Sequence, residues 1–305
     1  MKRSSARFAS RILRNYELYI MTLPGLLYLI VFRYVPIAGV QIAFKKFSAV
    51  KGIWGSPWIG FAHFEKFFNS YQFERVLTNT VLLSVLQQLI SFPIPILLAL
   101  MLNQLTRPRY KKFVQTTLYA PHFISTVVVV SMLHVFFSIG NGLVNNLLAM
   151  MGFERIDFLA DPGKFRMMYI LSGIWQSMGY NSIIYLAALT SISPDLYEAA
   201  TVDGATKMQK IINIEIPSIL PTAIIMLILA VGRMMSIGFE KAFLMQNARN
   251  LATSEIISTY VYKVGLQQIQ YDYATAIDLF NGIINLVLIC TVNFIAGRVS
   301  NVSLW

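Results

Sequence analysis

Ser193–Thr222 reads SPDLYEAATVDGATKMQKIINIEIPSILPT, and this stretch decides how the rest of the chain is understood. Ser193 is suited to cap a helix whose first turn holds Pro194 and Asp195, where a fixed φ and a negative charge are both favourable. Leu196, Ala199 and Ala200 follow at three- and four-residue spacing, a narrow apolar stripe on one helical face. Gly204 interrupts and permits a sharp turn between two short helices. Pro217 and Pro221 then stand at the start of a long apolar run, where proline kinks a helix. Small side chains at Ala199, Ala200 and Gly204 let another protein's surface approach the backbone closely.

Apolar runs lie on both sides of this segment, and the composition explains them. Of 305 residues, 56% are hydrophobic and only 13% charged, against about 25% charged in a soluble domain. A soluble fold of this size would lack a wettable exterior, and a disordered chain would be polar and poor in aromatics. The bilayer is the solvent that suits the chain. About 20 apolar residues cross the hydrocarbon core, and six candidate spans meet that length. They run roughly from Leu18 to Val40, within Val76–Thr106, from Phe113 to Ser138, from Met167 to Leu189, from Ile212 to Ile237, and from Leu279 to Gly297.

The net charge of +11 would point to nucleic acid in a soluble protein, but the basic residues fall in short stretches between spans. No motif or continuous basic face supports nucleic-acid binding. With the N-terminus inside, the inner segments hold 12 basic against 5 acidic residues and the longer outer segments 13 against 9. That balance places both termini in the cytoplasm. Residues 1–17 read as a retained basic arm, with Arg7, Arg11 and Arg14 on one helical face; residues 18–74 as the first span and an outer segment; 75–299 as a core of five spans; and 300–305 as a tail. Segment 193–217 is a cytoplasmic loop inside the core. Outside, GIWGSPWIGFAHFEKFF (Gly52–Phe68) has the aromatics of an interfacial or re-entrant segment, and NGLVNNLLAMMGF (Asn141–Phe153) reads as a short amphipathic helix.

Glu198-Ala199-Ala200, three residues, Gly204, nine residues, then Ile214-Glu215-Ile216-Pro217 resembles the E-A-A…G…I-x-L-P signature of permease subunits in binding-protein-dependent ABC importers. Ile216 replaces the usual leucine. Asp203-Gly204, together with PGLLYLIVFRYVPIAGVQIAFKKFS (Pro24–Ser48) and FVQTTLYAPHFISTVVVV (Phe113–Val130), resembles the carbohydrate branch, of the MalF and LplB type. The resemblance implies an all-α polytopic membrane protein with the type I (MetI-like) permease fold. It also implies a second permease subunit in a heterodimer, two cytoplasmic ATPase subunits that hold ATP and Mg²⁺, and an extracellular solute-binding protein. The solute implied is a carbohydrate of oligosaccharide length, and the location a bacterial cell membrane. In this reading Glu198, Ala199, Ala200, Asp203, Gly204, Ile214, Ile216 and Pro217 form the loop that couples to the ATPase.

This chain has no GxxxxGK[ST] loop, so no cofactor is expected on it. Sugars are held by aromatic faces and by amides that both donate and accept. Trp175, Gln176, Tyr180, Asn181 and Tyr185 in the fourth span, Gln87 and Gln88 in the second, and Asn281 and Asn285 in the sixth are the candidates. Each either lines a solute path or joins helices to one another. His63, His122 and His134 are scattered with no carboxylate at ligand spacing and form no metal site. Cys290 sits alone in an apolar run. Two other readings stay open, an importer for an amino acid or peptide and an ion-coupled carrier that works alone; carriers of that kind show inverted repeats and intramembrane charges, and neither is clear here.

Overall fold

The computed structural model describes residues 14–300, 303 and 304, and among them no β-strand occurs. The basic arm from Lys2 to Arg11 lies outside the described residues. The chain opens with α1, Tyr16–Phe44, a continuous 29-residue rod. It is almost wholly exposed until its last turns, where Ala43 packs with Phe64 and Ala276. A short helix, α2 (Ala62–Phe68), leads into α3, Tyr71–Asn103, which carries Pro93 and Pro95.

The expected third span is not one helix. Pro108–Phe123 (α4) and Thr126–Phe137 (α5) meet at 96°. The break has a local cause: Ser125 is extended, and its hydroxyl accepts from Val128 N, so a new helix begins where the previous one ends after Pro121. The outer segment then forms α6, Leu143–Met150, as its amphipathic pattern requires. Asn145, on the inner face of α6, is fully buried, with its amide bonded to the carbonyls of Phe137, Ser138 and Ile156.

Pro162–Thr190 forms α7, a 29-residue helix capped by Asp161, whose carboxylate accepts from Gly163 N. It lies at the centre of the bundle and packs along the Pro93–Asn103 half of α3. Helix α8 is Pro194–Val202, α9 is Lys207–Val231, α10 is Phe239–Met245, α11 is Ile257–Tyr262 and α12 is Tyr271–Ser300. Helix α12 begins eight residues before the apolar run at Leu279, because its first turns pack on protein: Asp272 Oδ2 accepts from Phe47 N, and Tyr273, Ala274 and Ile277 are buried.

Four helices, α1, α3, α9 and α12, are long and apolar enough to cross a bilayer, and the bent pair α4–α5 makes five. Helix α7 accounts for the difference from the six spans expected. At about 1.5 Å per residue it has the length, but its inward faces bear Ser172, Gln176, Ser177 and Ser182, which lower its apolarity. A helix whose inward faces pack on protein need not be lipophilic all round.

Candidate functional site

The loop between α7 and α9 is largely exposed. Ser193 Oγ accepts from Asp195 N at 3.3 Å and starts α8, as the sequence requires. The helix ends in a complete Schellman cap: Ala205 N reaches Ala200 O at 2.8 Å and Gly204 N reaches Thr201 O at 3.1 Å. Gly204 takes φ +73°, a left-handed conformation open to glycine at little cost. Thr206 then caps α9 in a reciprocal arrangement, its hydroxyl accepting from Gln209 N while Gln209 Oε1 accepts from Thr206 N. Lys210 Nζ donates to Thr201 Oγ1 at 2.6 Å and fastens the two helices together.

This short, fully capped elbow holds its shape without a core of its own. No residue of α8 is buried. Glu198, Ala199, Asp203 and Gly204 are exposed, Ala200 and Ile214 are half-buried, and Ile216 and Pro217 are exposed. Leu196, Val202 (88% exposed), Met208 and Ile212 add apolar surface to the same segment. Such a cluster on a rigid projecting element fits protein docking better than contact with water. The turn before Pro217 is π-type, with Ile216 N bonded to Ile211 O, which widens α9 at its base.

The polar residues expected along a solute path separate into four kinds. Gln176 and Asn285 are held in structural bonds: Gln176 Nε2 donates to Ile124 O at 2.8 Å, across the α4–α5 break, and Asn285 accepts from Met235 N and donates to Ser236 Oγ. Tyr185 is buried in the core beside Leu186 and Leu189. Trp175, Tyr180 and Asn181 are exposed, and Trp175 lines an apolar cavity of about 460 Å³ between α5 and α7. Gln87 and Asn281 each keep a buried side-chain oxygen with no hydrogen-bond partner, and Gln88 is half-buried. Tyr180 lies face to face with His122, ring centroids 3.8 Å apart and planes within 4°.

Several site residues carry no periodic signal and emerge only from the fold. Glu255 accepts from Arg75 Nη2 and from Lys263 Nζ at 2.8 Å, tying the start of α3 to the end of α11. His63, expected in an outer segment with no carboxylate at ligand spacing in the sequence, has Nε2 3.3 Å from an Asp272 carboxylate oxygen and 3.1 Å from Lys45 O. Lys241 is buried over the Tyr169 ring with its ammonium on Tyr169 O at 2.8 Å, and burial pulls its pKa down to about 8. Glu215 is buried as well; a lone acid within the apolar run IINIEIPSIL is the one sequence signal that marks it.

A helical bundle crossed by several apolar spans, with a projecting capped elbow on one connection, defines a polytopic permease. The profile for binding-protein-dependent transport system inner membrane components matches residues 91–301, and the chain belongs to that family. It is 41% identical over 285 residues to protein LplB of Bacillus subtilis (strain 168), covering 93% of this chain and 90% of that one. It is 42% identical over 297 residues to the polygalacturonan/rhamnogalacturonan transport system permease protein YteP of the same organism, covering 97% and 92%. Among solved structures it superposes with TM-score 0.90 and 44% identity on a chain of a bacterial ABC transporter involved in import of the acidic polysaccharide alginate, covering 96% and 99%. A second alginate ABC transporter structure, in complex with an alginate pentasaccharide-bound periplasmic protein, matches with TM-score 0.90 and 42% identity over 98% and 100%. The expected type I permease fold and carbohydrate-branch membership therefore stand, and the protein is a multi-pass membrane permease.

Proposed function

We propose that this chain is one of two pore subunits of an ABC importer for an oligosaccharide, with ATP bound and hydrolysed on two separate cytoplasmic subunits. An extracellular solute-binding protein delivers the sugar, and both termini face the cytoplasm. The observation that carries this reading is the α8 elbow: exposed along its length, lined with small residues, capped at both ends and rooted in two helices of the bundle. When the ATPase dimer closes on ATP, a rigid elbow seated in its surface moves with it and tilts α7 and α9 between inward- and outward-open states. ATP-driven closure supplies the differential free energy that shifts the equilibrium. Relatives at 41–44% identity with carbohydrate systems support a sugar as solute.

The deciding experiment reconstitutes the chain with its partner permease, ATPase and binding protein in proteoliposomes and follows labelled oligouronide or neutral oligosaccharide. Uptake that requires internal ATP supports the reading. Uptake driven by an ion gradient alone, or of amino acids or peptides in place of sugars, overturns it. In the same assay Tyr180→Ala is expected to lower uptake about three- to tenfold, the scale of a lost aromatic face. Wild-type uptake by both Tyr180→Ala and Gln176→Ala would remove these residues from the solute path.

A further inference from the structure

Helix α8 has one side chain that reaches back into the bundle. Tyr197, the residue before Glu198, places its hydroxyl 3.3 Å from Glu215 Oε1. Glu215 belongs to α9 and is 1% exposed. The same oxygen accepts from Asn103 Nδ2 and from Gln104 Nε2, each at 2.9 Å, at the cytoplasmic end of α3. One buried oxygen on α9 thus gathers three donors from two other elements, the end of α3 and α8. The other oxygen, Oε2, is buried with no hydrogen-bond partner, and among the described residues no cation forms an ion pair with this carboxylate.

That arrangement is costly unless its geometry is kept. A buried carboxylate with neutral donors only depends on every one of them, and losing a donor leaves desolvated charge behind. Burial and then the Glu215 charge raise the Tyr197 phenol above its ordinary range, so it stays a protonated donor at neutral pH. Glu215 ends the π-type turn at the base of α9 and is the buried residue of that turn. Among the described residues the one other side-chain hydrogen bond from α8 to another helix is Lys210–Thr201.

We propose that Glu215 is a positioning residue that joins the coupling elbow to α3 as well as α9, so that one displacement of α8 drives both helices together. This rests on the coupling role assigned to the elbow above. It is tested in the full reconstituted transporter, by comparing ATP hydrolysis with and without sugar-loaded binding protein and measuring uptake alongside. Glu215→Leu is expected to cut the stimulation ratio about tenfold while unstimulated hydrolysis persists, the scale of a lost charged hydrogen-bond set. Glu215→Gln keeps an oxygen for the three donors and is expected to retain the ratio within about twofold. Tyr197→Phe keeps the ring and loses one bond, and is expected to lower the ratio about two- to threefold.

A wild-type ratio in Glu215→Leu overturns the proposal, as does a glutamine variant no better than leucine. If Glu215→Leu fails to assemble, a wild-type ratio in Tyr197→Phe overturns it equally. Wild-type complex that imports solute without ATP would instead overturn the coupling reading beneath it, so the two failures are separable.

Discussion

Gly204→Val is expected to abolish sugar uptake and its coupling to ATP hydrolysis while the chain still inserts into the membrane at wild-type levels. The reason is conformational, not steric. A side chain added at Gly204 meets nothing within 4 Å, yet its φ of +73° is a region that L-residues avoid. A β-branched residue held there costs about 1–3 kcal/mol, and the cheaper response is for the turn to unwind. Unwinding releases both bonds of the Schellman cap, Ala205 N to Ala200 O and Gly204 N to Thr201 O, and uncouples the direction of α8 from that of α9. Since the elbow has no buried core, the Lys210–Thr201 and Tyr197–Glu215 hydrogen bonds are what is left to oppose the change in angle.

A graded series separates this from general damage. Gly204→Asn tolerates the left-handed region and is expected to keep most activity, with Gly204→Ala between the two. The measurement is uptake and binding-protein-stimulated ATP hydrolysis in reconstituted complexes, with membrane abundance scored in parallel. Normal transport by the valine variant would show that the elbow need not be rigid and would remove the basis of the proposed function.

What was legible in the sequence was whatever local chemistry decides. Ser193, Pro194, Asp195 and Gly204 act within a few residues of themselves, and the helix and turn they specify are those observed. Apolar runs announced most spans for the same reason, since a single helix satisfies its own backbone in hydrocarbon. Long-range features were hidden. Pro121 and Ser125 sit inside a stretch that is apolar enough on average to read as one span, so the 96° break between α4 and α5 does not alter the hydropathy that marks it. The role of Gln176 depends on Ile124 O, 52 residues away, and that of Glu215 on Asn103 and Gln104, more than a hundred residues away. Periodicity records which face of a helix is apolar and contains nothing about which distant donor will arrive beside it.

The largest stability effect is expected where two helices come closest. A Cβ built on Gly179 of α7 would lie 2.0 Å from the carbonyl oxygen of Leu118 in α4 and 2.5 Å from its carbon. Close approach through small residues is how membrane helices gain packing without a hydrophobic drive between them. Because the obstacle is backbone, no rotamer change relieves it, and Gly179→Ala must push α4 away from α7. Overpacking of this kind costs about 1–3 kcal/mol and more where the neighbour cannot yield. Displacement of α4 also strains the neighbouring contacts that hold the α4–α5 break, the Gln176–Ile124 bond and the His122–Tyr180 stack. Gly179→Ala is therefore expected to lower the thermal midpoint of the purified, detergent-solubilised complex and to cut its folded yield. Two alanine controls calibrate the result. Gly173→Ala meets only the flexible end of Lys241, at 3.2 Å, and is expected to cost less, whereas Gly25→Ala in α1 meets nothing and is expected to be neutral or slightly stabilising through helix propensity. A Gly179→Ala midpoint equal to that of Gly25→Ala would mean that α4 and α7 do not approach as closely in the membrane, and the placement of the α4–α5 break against α7 would have to be redrawn.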